Sequence, residues 1–556
     1  MRSLTAKILV CQSGYSLNGV KRFLVESGRP GWFEVISAWS KTPVFKGMLR
    51  PAGEAWGRTY LMGDFTGLAR PGWYRVRVSE TESPPFKLCR TPFTNTLELA
   101  AKFFYYQRCG CEVPGLHGPC HLDDAYTPEG DHIDLRGGWH EAGDYNKHLG
   151  YQPHAVYALA YAFEKLTCSE LREGTPLSRI PYGWILDEAL WGARFLLKMQ
   201  VRDGRFRMMV ISGVGYWGPP EKEENPRILV SHDAWPVSAG YCIAAFAKLS
   251  KILERNRKDV SELLKSRAVK AWRHYSRLIE NIMGRSGFNL FDCYNLATFI
   301  LAGLELERLG VKTRNMVDAI VSRICDAMEP YLENGWFNND LQPPPFHIVE
   351  MGVIPAALVA YCLAGGRLKE MVERAVKSYM YSYLLPLTDN VFNIPKFYIS
   401  YKDKNMTVWF LPGDYFGDWH VGPNSYYLST AWALLLASRL FRDGWLRLTA
   451  QRILEWILGV NPYGICMVEG AGSRHLPEYH HRYGSIPGWE RGAVPGAIPN
   501  GICRRPLKVL GKRVEGVDEP FIDMDFRGGG RAFYVTNEPW LPHNAYYLLA
   551  TSLLSI

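Results

Sequence analysis

The period of the apolar residues changes once, between residues 90 and 95, and this change limits the fold more than any other feature of the chain. Up to residue 90, short runs such as "KILVCQ", "RFLVES", "FEVISAW", "PVFKGML", "TYLMGDF", "WYRVRVS" and "PFKLC" are separated by Gly, Pro, Ser and Asp turns. In "WYRVRVS", Tyr74, Val76 and Val78 alternate with Arg75 and Arg77, the period of a strand buried on one face. About seven such runs predict a small antiparallel β-sandwich over residues 1–90. After the polar stretch "RTPFTNT" the spacing is helical through residues 95–556. Helices are expected near 96–108, 153–166, 183–200, 233–254, 261–283, 291–309, 314–329, 349–364, 368–384, 425–441, 444–458 and 542–555. Leu428, Trp432, Leu435 and Leu436 illustrate the i, i+4, i+7, i+8 face. Twelve helices in antiparallel pairs can close into an all-α (α/α)6 barrel, six inside and six outside. An open superhelix of helical hairpins is the rival, and no repeat of fixed period supports it.

With 47% hydrophobic and 21% charged residues, the 556-residue chain has material for a large core and is not globally disordered. Its net charge of +9 is dispersed, and basic pieces such as "RNRK" near 255 lie in helical segments, so nucleic acid is not expected as a partner. No segment reaches the roughly 18 apolar residues of a membrane span, so no membrane partner is expected either. The N-terminus "MRSLTAKILVCQSGY" holds no apolar run long enough for a signal peptide. The expectation is a cytoplasmic protein if Met1 is the native start, and a secreted one otherwise. Oligomeric state is not readable. Of the 12 cysteines, Cys242, Cys293, Cys325 and Cys362 sit singly in apolar helical runs, as small hydrophobes.

Chemistry-bearing residues concentrate in long loops. "QRCGCEVPGLHGPCHLDDA" supplies Cys109, Cys111, His117, Cys120 and His121, and His140 follows. Two thiolates and two imidazoles suit tetrahedral zinc; reduced thiols beside surface histidines are the other reading, because the spacing is not that of a zinc finger. Four protein ligands would pin a loop rather than leave a catalytic position open. The next motif, "GGWHEAGDYNKH", sets Glu141 and Asp144 three apart. Inverting glycosidases place an acid and a base about 6.5–9.5 Å apart, on opposite sides of the scissile bond. Two acids on one loop can hold a water together but cannot reach the far side. The best proton donor elsewhere is Glu538 in "FYVTNEPWLPHNA", where Tyr534, Pro539 and Trp540 would favour the neutral carboxyl by desolvation.

Together and in this order, "VCQSGYSLNGVKRFLV", "FFYYQRCG", "GPCHLDDA", "GGWHEAGDYNKH", "LGVNPYG", "HHR" and "NEPWLPHNA" resemble glycoside hydrolase family 9, in the branch with an N-terminal immunoglobulin-like domain. The resemblance covers nearly the whole chain. It implies an Ig-like domain over 1–90, an (α/α)6-barrel catalytic domain over 95–556 with a glycan cleft at its open end, and hydrolysis of β-1,4-glucosidic bonds with inversion. It further implies that Asp144 is the general base, that Glu141 orients the water and that Glu538 is the general acid. His480 and Arg482 match residues that hydrogen-bond the sugar beside the scissile bond. Cys109, Cys120, His121 and His140 match the ligands of a structural zinc, which leaves Cys111 and His117 as bystanders. Trp419 lies in a stretch resembling a cleft-lining loop, and Trp139 and Tyr145 shape the loop, stack on sugar or pack in the core. Calcium is frequent in the family, but no ligand loop for it is evident here.

The chain departs from the family pattern at Glu141, where the family usually has Asp, and at Gly529, where many members have Asp and where Asp523 and Asp525 stand nearby as substitutes. Glu469 and Tyr479 are also unusual. For Glu469 the expected partner is Arg474 or Arg482, ahead of a substrate hydroxyl or amino sugar. The resulting reading is a β-1,4-glucanase or cellodextrinase with a β-glucan or oligosaccharide substrate. The alternatives are an exo-acting β-glucosidase or β-glucosaminidase, and, in another class, a glycan-binding protein with impaired catalysis.

Overall fold

The computed structural model describes residues 7–26, 31–173, 175–212, 215–223, 227–329, 352–401, 404–411, 422–506 and 516–555. Its N-terminal part contains β1 (Lys7–Leu9), β2 (Tyr15–Ser16), β3 (Arg22–Glu26), β4 (Trp32–Ser37), β5 (Pro43–Met48), β6 (Arg50–Ala55), β7 (Arg58–Asp64), β8 (Gly72–Val78), β9 (Thr81–Glu82) and β10 (Phe86–Cys89). They form two sheets, ordered β1-β3-β7-β6 and β2-β10-β8-β4-β5, with β9 on β8. Tyr74 and Val76 are buried, while Arg77 on the open face of β8 pairs with Glu34 of β4 at 2.7 Å. All seven expected runs are strands. The three unforeseen ones have physical reasons: β2 and β9 are two residues long, and β6 ("RPAGEA") lacks alternation and carries Pro51, tolerable because β6 is an edge strand.

Each expected helix is present among the described residues: α1 (Thr94–Tyr106), α2 (Gln152–Leu166), α3 (Gly183–Met199), α4 (Pro236–Leu253), α5 (Lys258–Met283), α6 (Leu290–Glu307), α7 (Arg314–Met328), α8 (Val353–Leu363), α9 (Lys369–Lys377), α10 (Pro423–Phe441), α11 (Gly444–Ile457) and α12 (Leu541–Thr551). Helix α2 packs on α4, α4 on α6, α6 on α8, α8 on α10, α10 on α12, and α12 back on α2. The other six cover them from outside: α3 on α2, α5 on α4, α7 on α6, α9 on α8, α11 on α10, and α1 on α12. The sequence explains this division. Helix α5 buries only Ser261, Leu264, Ala268, Ala271, Trp272, Tyr275, Ile279 and Ile282, one stripe of an otherwise charged helix, whereas α6 and α10 are buried nearly all round. The inner helices approach closely where side chains allow it. At Gly240 of α4 a Cβ would lie 2.1 Å from Thr298 Oγ1 of α6, so no larger residue fits.

The β region is clamped to the helical region through one buried side chain. Gln12 Nε2 donates to Gly464 O (3.0 Å), its Oε1 accepts from Ser473 N and Arg474 N (3.0 and 3.1 Å), and its backbone N–H donates to Leu458 O (2.8 Å). Gln12→Ala would leave buried backbone groups unpaired, and thermal unfolding is expected to show a loss of about 2–3 kcal/mol. An unchanged melting temperature would refute the clamp.

Candidate active site and metal centre

The segment 137–148 connects α1 to α2 and is fixed at both ends by backbone and amide groups. Gln107, just after α1, donates through Nε2 to His140 O (3.1 Å) and Ala142 O (2.9 Å), and its own carbonyl accepts from His140 N (2.8 Å). The segment ends in strand β11 (Lys147–His148), which pairs with β12 (Arg207–Ile211), itself paired with β13 (Ile228–Asp233). At the other side Leu541 N, at the start of α12, donates to Glu141 O at 3.0 Å.

Gly143 is the point where three distant segments meet. Its N–H donates to Glu538 Oε1 (3.2 Å), its carbonyl accepts from Arg482 N (2.8 Å), and a Cβ there would lie 2.0 Å from His480 O. Glycine is therefore required, and its backbone brings Glu538 beside the loop carrying Glu141 and Asp144. Glu538 is further held by Asn500 N on its carbonyl, and His480 by Asn537 O on its N–H. The side chains of Asp144, His480, Arg482 and Glu538 each retain some exposure, whereas Glu141 is buried.

The carboxylates have contrasting surroundings. Desolvation, then the nearby Asp144 charge, pushes Glu538 up to about 8, against the Gly143 N–H and Arg482. Burial and Asp144 raise Glu141 well above its ordinary value, although its Oε2 accepts from His148 N at 2.6 Å. Desolvation also raises Asp144, but the Arg482 guanidinium and the Asn146 N–H oppose it. Of the three, Asp144 has the strongest support for its anion: both oxygens accept from Asn146, and a cation faces it. Beside them His480 Nδ1 donates to Ala532 O at 2.8 Å, and burial lowers the ring to about 4, so it is neutral with its proton on Nδ1 and Nε2 left as an acceptor. Arg482 Nη1 donates to Ser212 Oγ at 2.9 Å. Trp217, missed in the sequence because it sits in an unpatterned Gly-rich loop, stacks edge-on to His480 at 5.1 Å and donates Nε1 to Gly529 O at 2.8 Å.

Several sequence expectations are corrected. Tyr145 is fully buried with its hydroxyl on Gly218 O (2.7 Å) and its ring under Arg482, so it packs and cannot stack on a sugar. For Trp139 the structure selects one of the open readings, core packing: it is fully buried, its Nε1 on Glu188 Oε1 at 2.7 Å. Glu469 pairs with Arg491 (3.1 and 3.2 Å), not with Arg474 or Arg482, because the 469–497 loop folds back on itself. Asp523 is occupied by Arg527 and Phe533 N, and acts as a loop anchor rather than a substitute for an acid at Gly529. Buried Glu478 fills the concave backbone of "RGGGR", accepting from the N–H groups of Arg527, Gly528 and Arg531. Trp419 lies outside the described residues.

Behind the catalytic loop, Cys109, Cys120, His121 and His140 place one ligand atom each within 4.8 Å of one another, all buried. Among the described residues this is the one such group of His, Cys, Asp or Glu. Cys109 Sγ lies 3.5 Å from His121 Nδ1 and Cys120 Sγ 3.8 Å from His140 Nε2, matching the roughly 3.3–3.8 Å edges of a tetrahedron with zinc-length bonds. The outer ring nitrogens are also held: His121 Nε2 by Glu223 Oε2 and His140 Nδ1 by Tyr483 OH, both at 2.8 Å. Arg227, bonded to Asp124, points Nη2 at Cys109 Sγ (3.8 Å), and Lys147 lies 2.5 Å from Asp124. The donor set fits a metal ion. Cys111 is only half-buried, and His117 turns Nδ1 to Gly118 O, so neither joins the group.

The profile of "Glycosyl hydrolase family 9" matches residues 93–551, and that of "Cellulase N-terminal ig-like domain" matches residues 4–83. The chain belongs to glycosyl hydrolase family 9. Among curated family relatives, a cellodextrinase of Butyrivibrio fibrisolvens is 31% identical over 165 residues (28% of this chain, 30% of the relative). Endoglucanase D of Acetivibrio thermocellus is 30% identical over 167 residues (27% and 26%). The chain thus matches less than a third of either relative's length. Among solved structures, a metagenome-derived family 9 endoglucanase superposes with TM-score 0.70 at 23% identity, covering 99% of both chains. A Zn-binding triple mutant of a family 9 endoglucanase gives 0.70 at 22% identity, covering 98% and 100%. At these identities the likeness is one of fold: an N-terminal β-rich domain followed by the helical family 9 domain.

Proposed function

We propose that this chain is an inverting glycoside hydrolase that cleaves β-1,4-glucosidic bonds in cellulose-like glucans or cello-oligosaccharides, and that helices α1 to α12 form an (α/α)6 barrel. One observation carries the reading: Glu538 and Asp144 meet across the backbone of Gly143, Glu538 lifted by burial to about 8 while Arg482 and Asn146 oppose the desolvation of Asp144. Glu538, kept neutral at pH 7, donates its proton to the leaving glycosidic oxygen. Asp144, kept anionic by Asn146 and Arg482, takes a proton from the attacking water. Glu141 shares the loop and helps seat that water. His480, neutral with Nε2 free to accept, and Arg482 hold the sugar whose bond breaks. The relatives named cellodextrinase and endoglucanase support the substrate class. A glycan-binding protein without catalysis is disfavoured, since it has no need for a carboxyl held neutral at pH 7 beside one whose anion is hydrogen-bonded on both oxygens.

Cys109, Cys120, His121 and His140 would hold a zinc ion, which would act as a structural cross-link with no open position for a substrate. His140 immediately precedes Glu141, so the same ligand set fixes the start of the catalytic loop.

Inversion has a direct test. In proton NMR of cellotetraose hydrolysis, the new reducing end is expected to appear first as the α-anomer, with the β-anomer growing in by mutarotation. A β-anomer appearing first, or no hydrolysis, would overturn the reading.

A further inference from the structure

We propose that Asn146 and Ser212 are positioning residues, closing a hydrogen-bonded circuit that aims the Asp144 carboxylate and couples it to Arg482. Strand register brings them together: Lys147 pairs with Val210 and His148 with Met209, so Asn146, one residue before β11, falls beside the end of β12 and Ser212. Asn146 Nδ2 donates to Asp144 Oδ2 (2.6 Å) and Asn146 N to Asp144 Oδ1 (3.1 Å), so both carboxylate oxygens are held. The amide's other end, Oδ1, accepts from Ser212 N at 2.8 Å. That donor has no flexible side chain, so it fixes which way the amide faces and keeps the NH2 on the carboxylate. Ser212 Oγ then accepts from Arg482 Nη1 (2.9 Å), and Arg482 N returns to the loop at Gly143 O (2.8 Å).

The backbone bond alone would be an ordinary turn, in which an aspartate caps the N–H two residues on. The amide bond is additional. It restrains the rotation of the carboxylate about its last torsion, which a turn leaves loose. Glu141 is less suited to this, because it commits Oε2 to His148 N. The charged and titratable groups facing Asp144 are Arg482, Arg227 and Glu223, with Glu538 and Glu141 coupled to it. None of them is removed by changing Asn146, so the effect of the amide can be isolated.

The inference rests on the proposed hydrolase reading for its rate prediction, but its decisive readout needs no substrate. Carbon-13 NMR of protein labelled at aspartate carboxyls, with the Asp144 signal assigned by its loss in Asp144→Asn, gives the titration of this one group. In Asn146→Ala the Asp144 midpoint is expected to rise by about one pH unit. The acid limb of kcat/KM on cellotetraose should move with it, and kcat should fall about tenfold while KM stays within about twofold. Asn146→Asp, which sets a like charge where the donor was, should raise the midpoint further. Ser212→Ala keeps its backbone donor and should lower kcat less than Asn146→Ala does. Zinc content should match wild type throughout. If Asn146→Ala does not fold, Asn146→Gly keeps the backbone N–H, removes only the amide and is read in the same way. An Asp144 midpoint equal to wild type in whichever variant folds would overturn the proposal. If wild type hydrolyses no glucan, the hydrolase reading fails and the titration still decides the role of Asn146.

Discussion

Glu538→Gln is expected to lower kcat on cellotetraose by about 10³-fold while substrate still binds within a few-fold of wild type. The amide keeps the shape and an acceptor for Gly143 N–H, so the recess and the loop contact persist; only the transferable proton is lost. The pH profile offers a second check. Glu538 must be protonated, and burial with the Asp144 charge lifts it to about 8, so wild-type activity should fall as pH rises through that value. Asp144 must be ionised, and because desolvation lifts it above its ordinary 3.8, the acid limb should lie above that point. The result is a bell whose basic limb disappears in Glu538→Gln. A variant as active as wild type, or a basic limb unchanged by the substitution, would remove Glu538 from the role of acid.

Cys120→Ser is expected to bring zinc far below one per chain and to lower the melting temperature by roughly 5 °C or more, since a structural site contributes its binding energy to folding. Activity should fall with it. Cys120 lies 3.8 Å from His140 Nε2, and His140 is bonded to Gln107, the residue that also holds Ala142 O. Releasing that corner loosens Glu141 and Asp144 together. Cys111→Ser is the control and should keep zinc, stability and rate. Full zinc in Cys120→Ser, or equal losses in both variants, would rule out the four-ligand site.

Much of this was legible locally. The long helices and the seven N-terminal runs could be read because apolar spacing depends on neighbours a few residues apart; β2, β6, β9 and every strand after residue 95, β11, β12 and β13 among them, escaped. The four metal donors also cluster, as the resemblance implied. Apart from Glu538, which does meet the 137–148 loop, statements about which distant residue a side chain meets failed. Glu469 finds Arg491 rather than Arg474 or Arg482, and Tyr145 faces inward under Arg482 rather than outward to a ligand. Trp217 and Glu223 sit in stretches with no motif, so no local pattern could have marked them.

Sequence by itself determined the two-part architecture, the candidate carboxyls and the candidate metal donors, because period and side-chain chemistry are properties of short stretches. Tertiary structure alone decided that Glu538 reaches the Gly143 N–H across 395 residues of chain, and that Asn146 faces Ser212 and so Arg482. Those contacts arise from ring closure between α12 and α2 and from the β11–β12 register. Protonation states follow from the burial and neighbours so created, which is why the sequence could single out Glu538 as the candidate acid but not give its pKa.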